Sequence, residues 1–180
     1  MTAMVVILQL LGTFIRFGTF AISPVLVPIV AGVIIGGAYA GAWLGLAFGV
    51  TVLLSGDAAF FLAVNPLGTV VTVLVKGLLC GLCAGLVYGL LKNKNKYLAI
   101  AAAAITCPVV NTGVFFAGTR LFFWDFINGL AVGENMSAAK YVIVFFIGGN
   151  FIFEILLNAL LCPVIFRLLN QKIIPSLDNK

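Results

Sequence analysis

Ser55-Gly-Asp-Ala-Ala-Phe-Phe-Leu-Ala-Val-Asn-Pro-Leu-Gly-Thr-Val-Val-Thr-Val-Leu-Val-Lys76-Gly77 reads as a polar turn, a short apolar segment, a helix start at Asn65-Pro66 and a long apolar helix holding one charge. Lys76 lies ten residues beyond Pro66. At ~1.5 Å per residue it sits roughly 15 Å along the helix, deep inside a bilayer if the helix spans one. An ionisable group at that depth is costly, so it faces a bundle interior, a cavity or a partner charge, and marks function by default.

Working outward, the chain is 63% hydrophobic and only 8% charged over 180 residues, which a soluble domain cannot hide and a polytopic membrane protein can. The formal charge of +5 does not indicate nucleic acid, because most basic residues flank apolar runs and none build a basic face. The start is apolar, with no basic segment and no small-residue cleavage site, so no secretory signal is expected. Cys80, Cys83, Cys107 and Cys162 all lie in apolar runs and are expected to pack. Cys80-Gly-Leu-Cys83 has half a zinc spacing, but there is no second pair and no histidine, so no metal site is expected.

The expected fold is all-α and integral to the membrane: one domain, 1–180, of six transmembrane helices at about 2–15, 24–38, 39–54, 67–91, 97–118 and 139–169. The first run is short, either as a short helix or as the end of a longer natural one. Pro24 suits a first helical turn, and a tight turn is expected near Gly36-Gly37. Gly32, Gly36, Gly37, Gly41, Gly45 and Gly49, then Gly77, Gly81, Gly85 and Gly89, form small-residue ladders that let helices approach closely in lipid. Pro108 is expected to kink the fifth span, and residues 119–138 to form the longest non-helical stretch.

Six spans put both termini on one side. That side carries Lys92, Lys94, Lys96, Arg167, Lys172 and Lys180, and the other Arg16, Arg120 and Lys140, so the termini are expected to be cytoplasmic. The loops at 16–23, 55–66 and 119–138 are then external, over a receiving face.

Asn150, Glu154 and Asn158 recur every four residues and share one helix face, which should point into the bundle. Lys76 and Glu154 descend to comparable depth, and Asn111-Thr112 approaches from the other end. The candidate substrate-binding residues are therefore Lys76, Asn111, Thr112, Asn150, Glu154, Asn65, Arg120 and Trp124. Each has a plainer reading. Lys76 and Glu154 can be a structural ion pair, Asn65 a helix cap before Pro66, and Asp57 a loop cap. Arg16 and Arg120 can snorkel, and Trp124 can sit in an aromatic belt. No nucleophile–base pair and no Gly-x-x-x-x-Gly-Lys-Ser/Thr loop is present, so neither catalysis nor ATP hydrolysis is expected of this chain.

Gly41-Ala-Trp-Leu-Gly-Leu-Ala-Phe-Gly49, Ser55-Gly-Asp-Ala-Ala, Asn65-Pro-Leu-Gly68, Pro108-Val-Val-Asn-Thr-Gly113 and the Lys92-Asn-Lys-Asn-Lys96 turn resemble the substrate-binding S-components of energy-coupling factor (ECF) vitamin importers of Firmicutes, nearest the pantothenate branch. The resemblance implies a Gram-positive-type plasma-membrane subunit that binds a vitamin on the outward side. It implies docking on a membrane T subunit with two ABC-type ATPases, which use the ATP and Mg, and toppling in the bilayer to deliver the cargo. The family's Ala-x-x-x-Ala docking motif is not present as written, since Ala3 is followed four residues later by Ile7. Pantothenate fits chemically: its carboxylate wants Lys76, Arg16 or Arg120, and its amide and hydroxyls want Asn and Thr. Folate or another vitamin makes similar demands. Two further classes stay open: a self-contained ion-coupled transporter or channel relaying through Lys76 and Glu154, and a membrane-embedded structural protein.

Overall fold

The computed structural model describes residues 1–14, 16–17, 20–21, 24–144, 148 and 151–161. In chain order these form α1 (Thr2–Phe14), a two-residue antiparallel pair β1 (Arg16–Phe17) and β2 (Phe20–Ala21), α2 (Leu26–Leu54), α3 (Ala59–Val64), α4 (Pro66–Leu91), α5 (Lys96–Phe122), α6 (Trp124–Gly133), α7 (Ala138–Val142) and α8 (Phe151–Leu161). Among the described residues, α2, α4 and α5 are apolar and long enough to cross a membrane. The 26 residues of α4 reach ~39 Å, beyond the ~30 Å hydrocarbon core.

The helix starts are set by local chemistry. Asn65 Oδ1 accepts from the Gly68 amide at 2.9 Å, and Pro66 follows in the first turn, where its missing N–H costs nothing. Asn95 Oδ1 accepts from the amides of Tyr97 and Leu98, at 3.0 and 3.1 Å, and opens α5 one residue before the expected start. The turn expected near Gly36-Gly37 is a break inside α2: Gly37 has φ 72° and ψ −160°, a conformation that glycine adopts readily and L side chains rarely do.

The second limb of α2, residues 38–54, shares the largest helix–helix interface with α4. Gly41 faces Gly81 and Gly45 faces Gly77, so the two run antiparallel, backbone against backbone; a Cβ on any of these four would land on the opposing carbonyl oxygen. This is small-residue packing, which holds helices together where burial from water contributes nothing. Buried Val33, Leu44, Phe48, Val52 and Cys80 fill in around the seam.

α5 is antiparallel to α4, with Gly118 against Thr72 and Gly68 against Phe122. It runs helical through buried Pro108, with no break where a kink is expected, and continues to Phe122 rather than ending near Gly118. The stretch 119–138 is likewise largely helical, not the longest non-helical segment. α6 occupies its middle because Ile127 and Ala131, four residues apart, are buried with Phe123, Ala138 and Val142 against Phe61, Phe116 and Trp124. Burial of that face outweighs the glycines and the lone Asn that read as a loop.

Of the expected last span, the described parts are α7, residues 143–144, Gly148 and α8. α8 packs on the main core through Leu157, with Glu154 and Asn158 buried on the same face. Asn150, Cys162, Pro163, Arg167, Lys172 and Lys180 lie outside the described residues.

Candidate functional site

One face of α4 carries Thr69, Thr72 and Lys76 at spacings of three and four, beginning one turn inside the Asn65 cap. Thr69 and Thr72 are buried. The Lys76 ammonium lies 5.4 Å from the centre of the Phe48 ring on α2 and 5.6 Å from that of Phe115 on α5. Lys76 is therefore held at the junction of the three long helices by two aromatic faces, whose quadrupoles attract a cation. Phe115 continues into an aromatic cluster: Phe61 of α3 meets it at 5.6 Å and Phe123 at 5.0 Å, both edge-on, while Phe60 meets Phe126 of α6 at 5.6 Å. The rings of α3 and α6 thus continue from the Phe115 ring that faces the lysine.

Two acidic residues of the bundle are Glu154, on α8, and Asp57, in the turn after α2. Glu154 is only 2% exposed. The Asn158 amide donates back to the Glu154 carbonyl at 2.8 Å, which fixes the polar face of α8. Asp57, in the turn after α2, accepts from Gln9 Nε2 at 2.6 Å and from Ser55 Oγ at 3.3 Å. Gln9 comes from α1 and is 1% exposed, so a polar link ties the first helix to the turn after α2.

The buried atoms Gln9 Oε1 of α1, Thr72 Oγ1 of α4 and Asn111 Oδ1 of α5 have no hydrogen-bond partner among the described residues. The α4–α5 register, with Thr72 opposite Gly118 and Lys76 against Phe115, places Asn111 about one turn from Lys76 on the side away from Thr72. The lysine is bracketed along the seam by two unsatisfied side chains. A buried unmatched acceptor costs about 1–3 kcal/mol and is uncommon in a folded protein.

The other expected residues fall elsewhere. Asn65 spends its Oδ1 as the α4 cap. Thr112, one residue from Asn111, points about 100° around the helix. It lines an apolar groove of about 320 Å³ with Val109, Gly113, Phe116, Ile143 and Phe151, which Lys76 does not line. Arg120 is exposed and stacks over the Trp124 ring at 4.2 Å, so these two meet each other near the Asn65 end, about two turns along the seam from Lys76. Cys80 and Cys107 are buried, and the Cys80 thiol donates to the Gly77 carbonyl at 3.1 Å, in keeping with packing roles. Gln9, Thr72, Phe48, Phe61 and Phe115 were not expected. Gln9 carried a signal: it is the one amide in the apolar run from Thr2 to Phe14. The phenylalanines carried none, being sixteen alike in the chain. No group of three His, Cys, Asp or Glu side chains able to hold a metal ion stands together among the described residues.

Neither the curated proteins nor the solved structures give a match. The family model described as ECF transporter, substrate-specific component, matches residues 1–166, nearly the whole chain. The chain belongs to the ECF transporter substrate-specific component family, and is a multi-pass plasma-membrane transport subunit that associates with an ECF T subunit and ATPase module.

Proposed function

We propose that this S-component captures a small carboxylate-bearing vitamin, pantothenate first, on the extracellular side and delivers it by docking on the T subunit and two ABC-type ATPases. The observation that carries the reading is Lys76, enclosed by Phe48 and Phe115 with unmatched polar atoms one turn to either side. The ligand carboxylate pairs with the Lys76 ammonium, and its amide and hydroxyls meet Thr72, Asn111 and, from outside the described residues, Asn150. The chain crosses the membrane six times with both termini in the cytoplasm of a Gram-positive-type bacterium. The Asn65 end faces outward, and α3 and α6 form the roof of the site. ATP and Mg belong to the partner ATPases, because the chain has no phosphate-binding loop.

A second reading, a cargo that carries an amine, draws on charge: Glu154, 2% exposed, and the part-buried Asp57 are two acids against the single lysine of α4. Purifying the protein from cells grown in a mixture of vitamins and identifying the released small molecule by mass spectrometry separates the two. Release of pantothenate or another carboxylate supports the first reading, release of an amine the second, and no released molecule with no vitamin-dependent rise in melting temperature overturns both.

A further inference from the structure

The connection between α4 and α5 is the most basic stretch among the described residues. Lys92 closes the end of α4, Lys96 is the first residue of α5 and Lys94 stands between them, with all of residues 92–98 exposed. Backbone bonds hold the turn in one shape: the amides of Lys94 and Asn95 both donate to the Leu91 carbonyl at 3.0 Å. Asn95 Oδ1 already occupies the Tyr97 and Leu98 amides at the start of α5, so attraction for an anion falls to the lysines and not to the helix end. No Asp or Glu occurs between Asp57 and Asp125 in the chain, and both of those belong to the opposite, Asn65 end.

Apolar side chains rim the same turn. Leu90 is 76% and Tyr97 75% exposed, with Leu86 and Leu98 exposed beside them. Ala38 packs against Gly85, which brings exposed Tyr39 to this end as well. On a membrane-spanning chain such leucines lie in the apolar layer and such tyrosines at its edge. Lys92 and Lys96 are each two residues from an exposed leucine, so at ~1.5 Å per residue their backbone stands ~3 Å beyond it. The headgroup layer is roughly 5–8 Å deep on each side, and a turn this short stays inside it. We infer that the Lys92–Lys96 turn docks on anionic phospholipid headgroups, its three ammoniums pairing with lipid phosphates while Leu90, Tyr97 and Leu98 hold the acyl boundary. That depth favours lipid over a soluble acidic protein, which would need the lysines to stand clear in water. The inference is independent of the vitamin and of which way the bundle faces.

The test titrates the detergent-purified chain with phosphatidylglycerol or with phosphatidylcholine of the same acyl chains, and measures bound lipid by native mass spectrometry. The proteins are wild type, the triple variant Lys92→Gln, Lys94→Gln, Lys96→Gln, the matching triple Arg variant, and Lys140→Gln. A lysine near an anionic lipid surface is worth about fivefold in affinity, so losing three should weaken phosphatidylglycerol binding roughly 100-fold and leave phosphatidylcholine unchanged. The Arg variant keeps the charge, and Lys140 belongs to α7, packed at the Asn65 end, so both are expected to bind like wild type. Raising ammonium acetate from about 0.05 to 0.5 M should shrink the preference of wild type. If wild type holds the two lipids alike, if the Gln variant holds phosphatidylglycerol as wild type does, or if Lys140→Gln loses as much, the inference is overturned. Displacement of the lipid by an equal concentration of free glycerol phosphate also overturns it, by making the turn a site for a soluble anion. If the triple Gln variant does not fold, judged by its melting temperature, the three single Gln variants decide, each expected to lose about fivefold.

Discussion

The Lys76 ammonium lies 5.6 Å from the centre of the Phe115 ring, although the two residues come from different, antiparallel helices. Phe115 also meets Phe61 edge-on at 5.6 Å. One ring therefore touches both the lysine of α4 and the short helix α3. A change in the surroundings of the Lys76 ammonium is therefore felt by Phe115 and, through it, by α3.

Replacing Lys76 by Met removes a charge-assisted contact worth roughly 1.5–3 kcal/mol, so affinity for a carboxylate vitamin should fall about 10- to 150-fold. The same change leaves Glu154 buried without its cation, and melting temperature should fall as well. Adding Glu154→Gln should restore stability but not binding. Ligand affinity and melting temperature on wild type, both single variants and the double variant check this; tight binding by the double variant rules out Lys76 as the anchor.

The glycine seam makes a prediction about packing alone. Gly45→Ala drives a methyl into the Gly77 carbonyl and should cost about 1–3 kcal/mol, seen as a lower melting temperature. Gly89→Ala, on the same α4 but with open space where the methyl would go, should be neutral or stabilising by up to ~1 kcal/mol. Equal effects at the two sites would mean that α2 and α4 are not in backbone contact.

Orientation is open to chemical labelling. Asn95→Cys, in a background with the native cysteines removed, should resist a membrane-impermeant thiol reagent in intact cells and react once the membrane is opened. Rapid labelling in intact cells would turn the Asn65 end, and the site beneath it, toward the cytoplasm.

Uptake should depend on partners. Vesicles holding this chain with an ECF T subunit and its ATPases should accumulate vitamin only when ATP is available to the ATPases, and vesicles with the chain alone should not. Accumulation by the chain alone, driven by an ion gradient, would restore the self-contained transporter reading.

Much of the molecule follows from composition and short-range chemistry. The predominantly apolar helices α4 and α5, of 26 and 27 residues, are long enough to cross a bilayer. Asn65 and Asn95 open helices because each side chain satisfies amides two or three residues ahead. The depth of Lys76 and the shared face of Glu154 and Asn158 follow from helical rise and period. Tertiary structure decided the rest, because the decisive partners lie far apart in the chain. Gln9 finds Asp57 across 48 residues, and no local pattern joins them. Gly45 meets Gly77 rather than Gly81 only because two backbones settle in one register. Asn111 enters the polar column while neighbouring Thr112 turns to an apolar groove, since packing fixes the rotation of α5 and one residue is worth about 100°. Residues 124–133 are a helix because Ile127 and Ala131 have aromatic partners from other elements to bury against, and those partners are assembled only in the folded bundle.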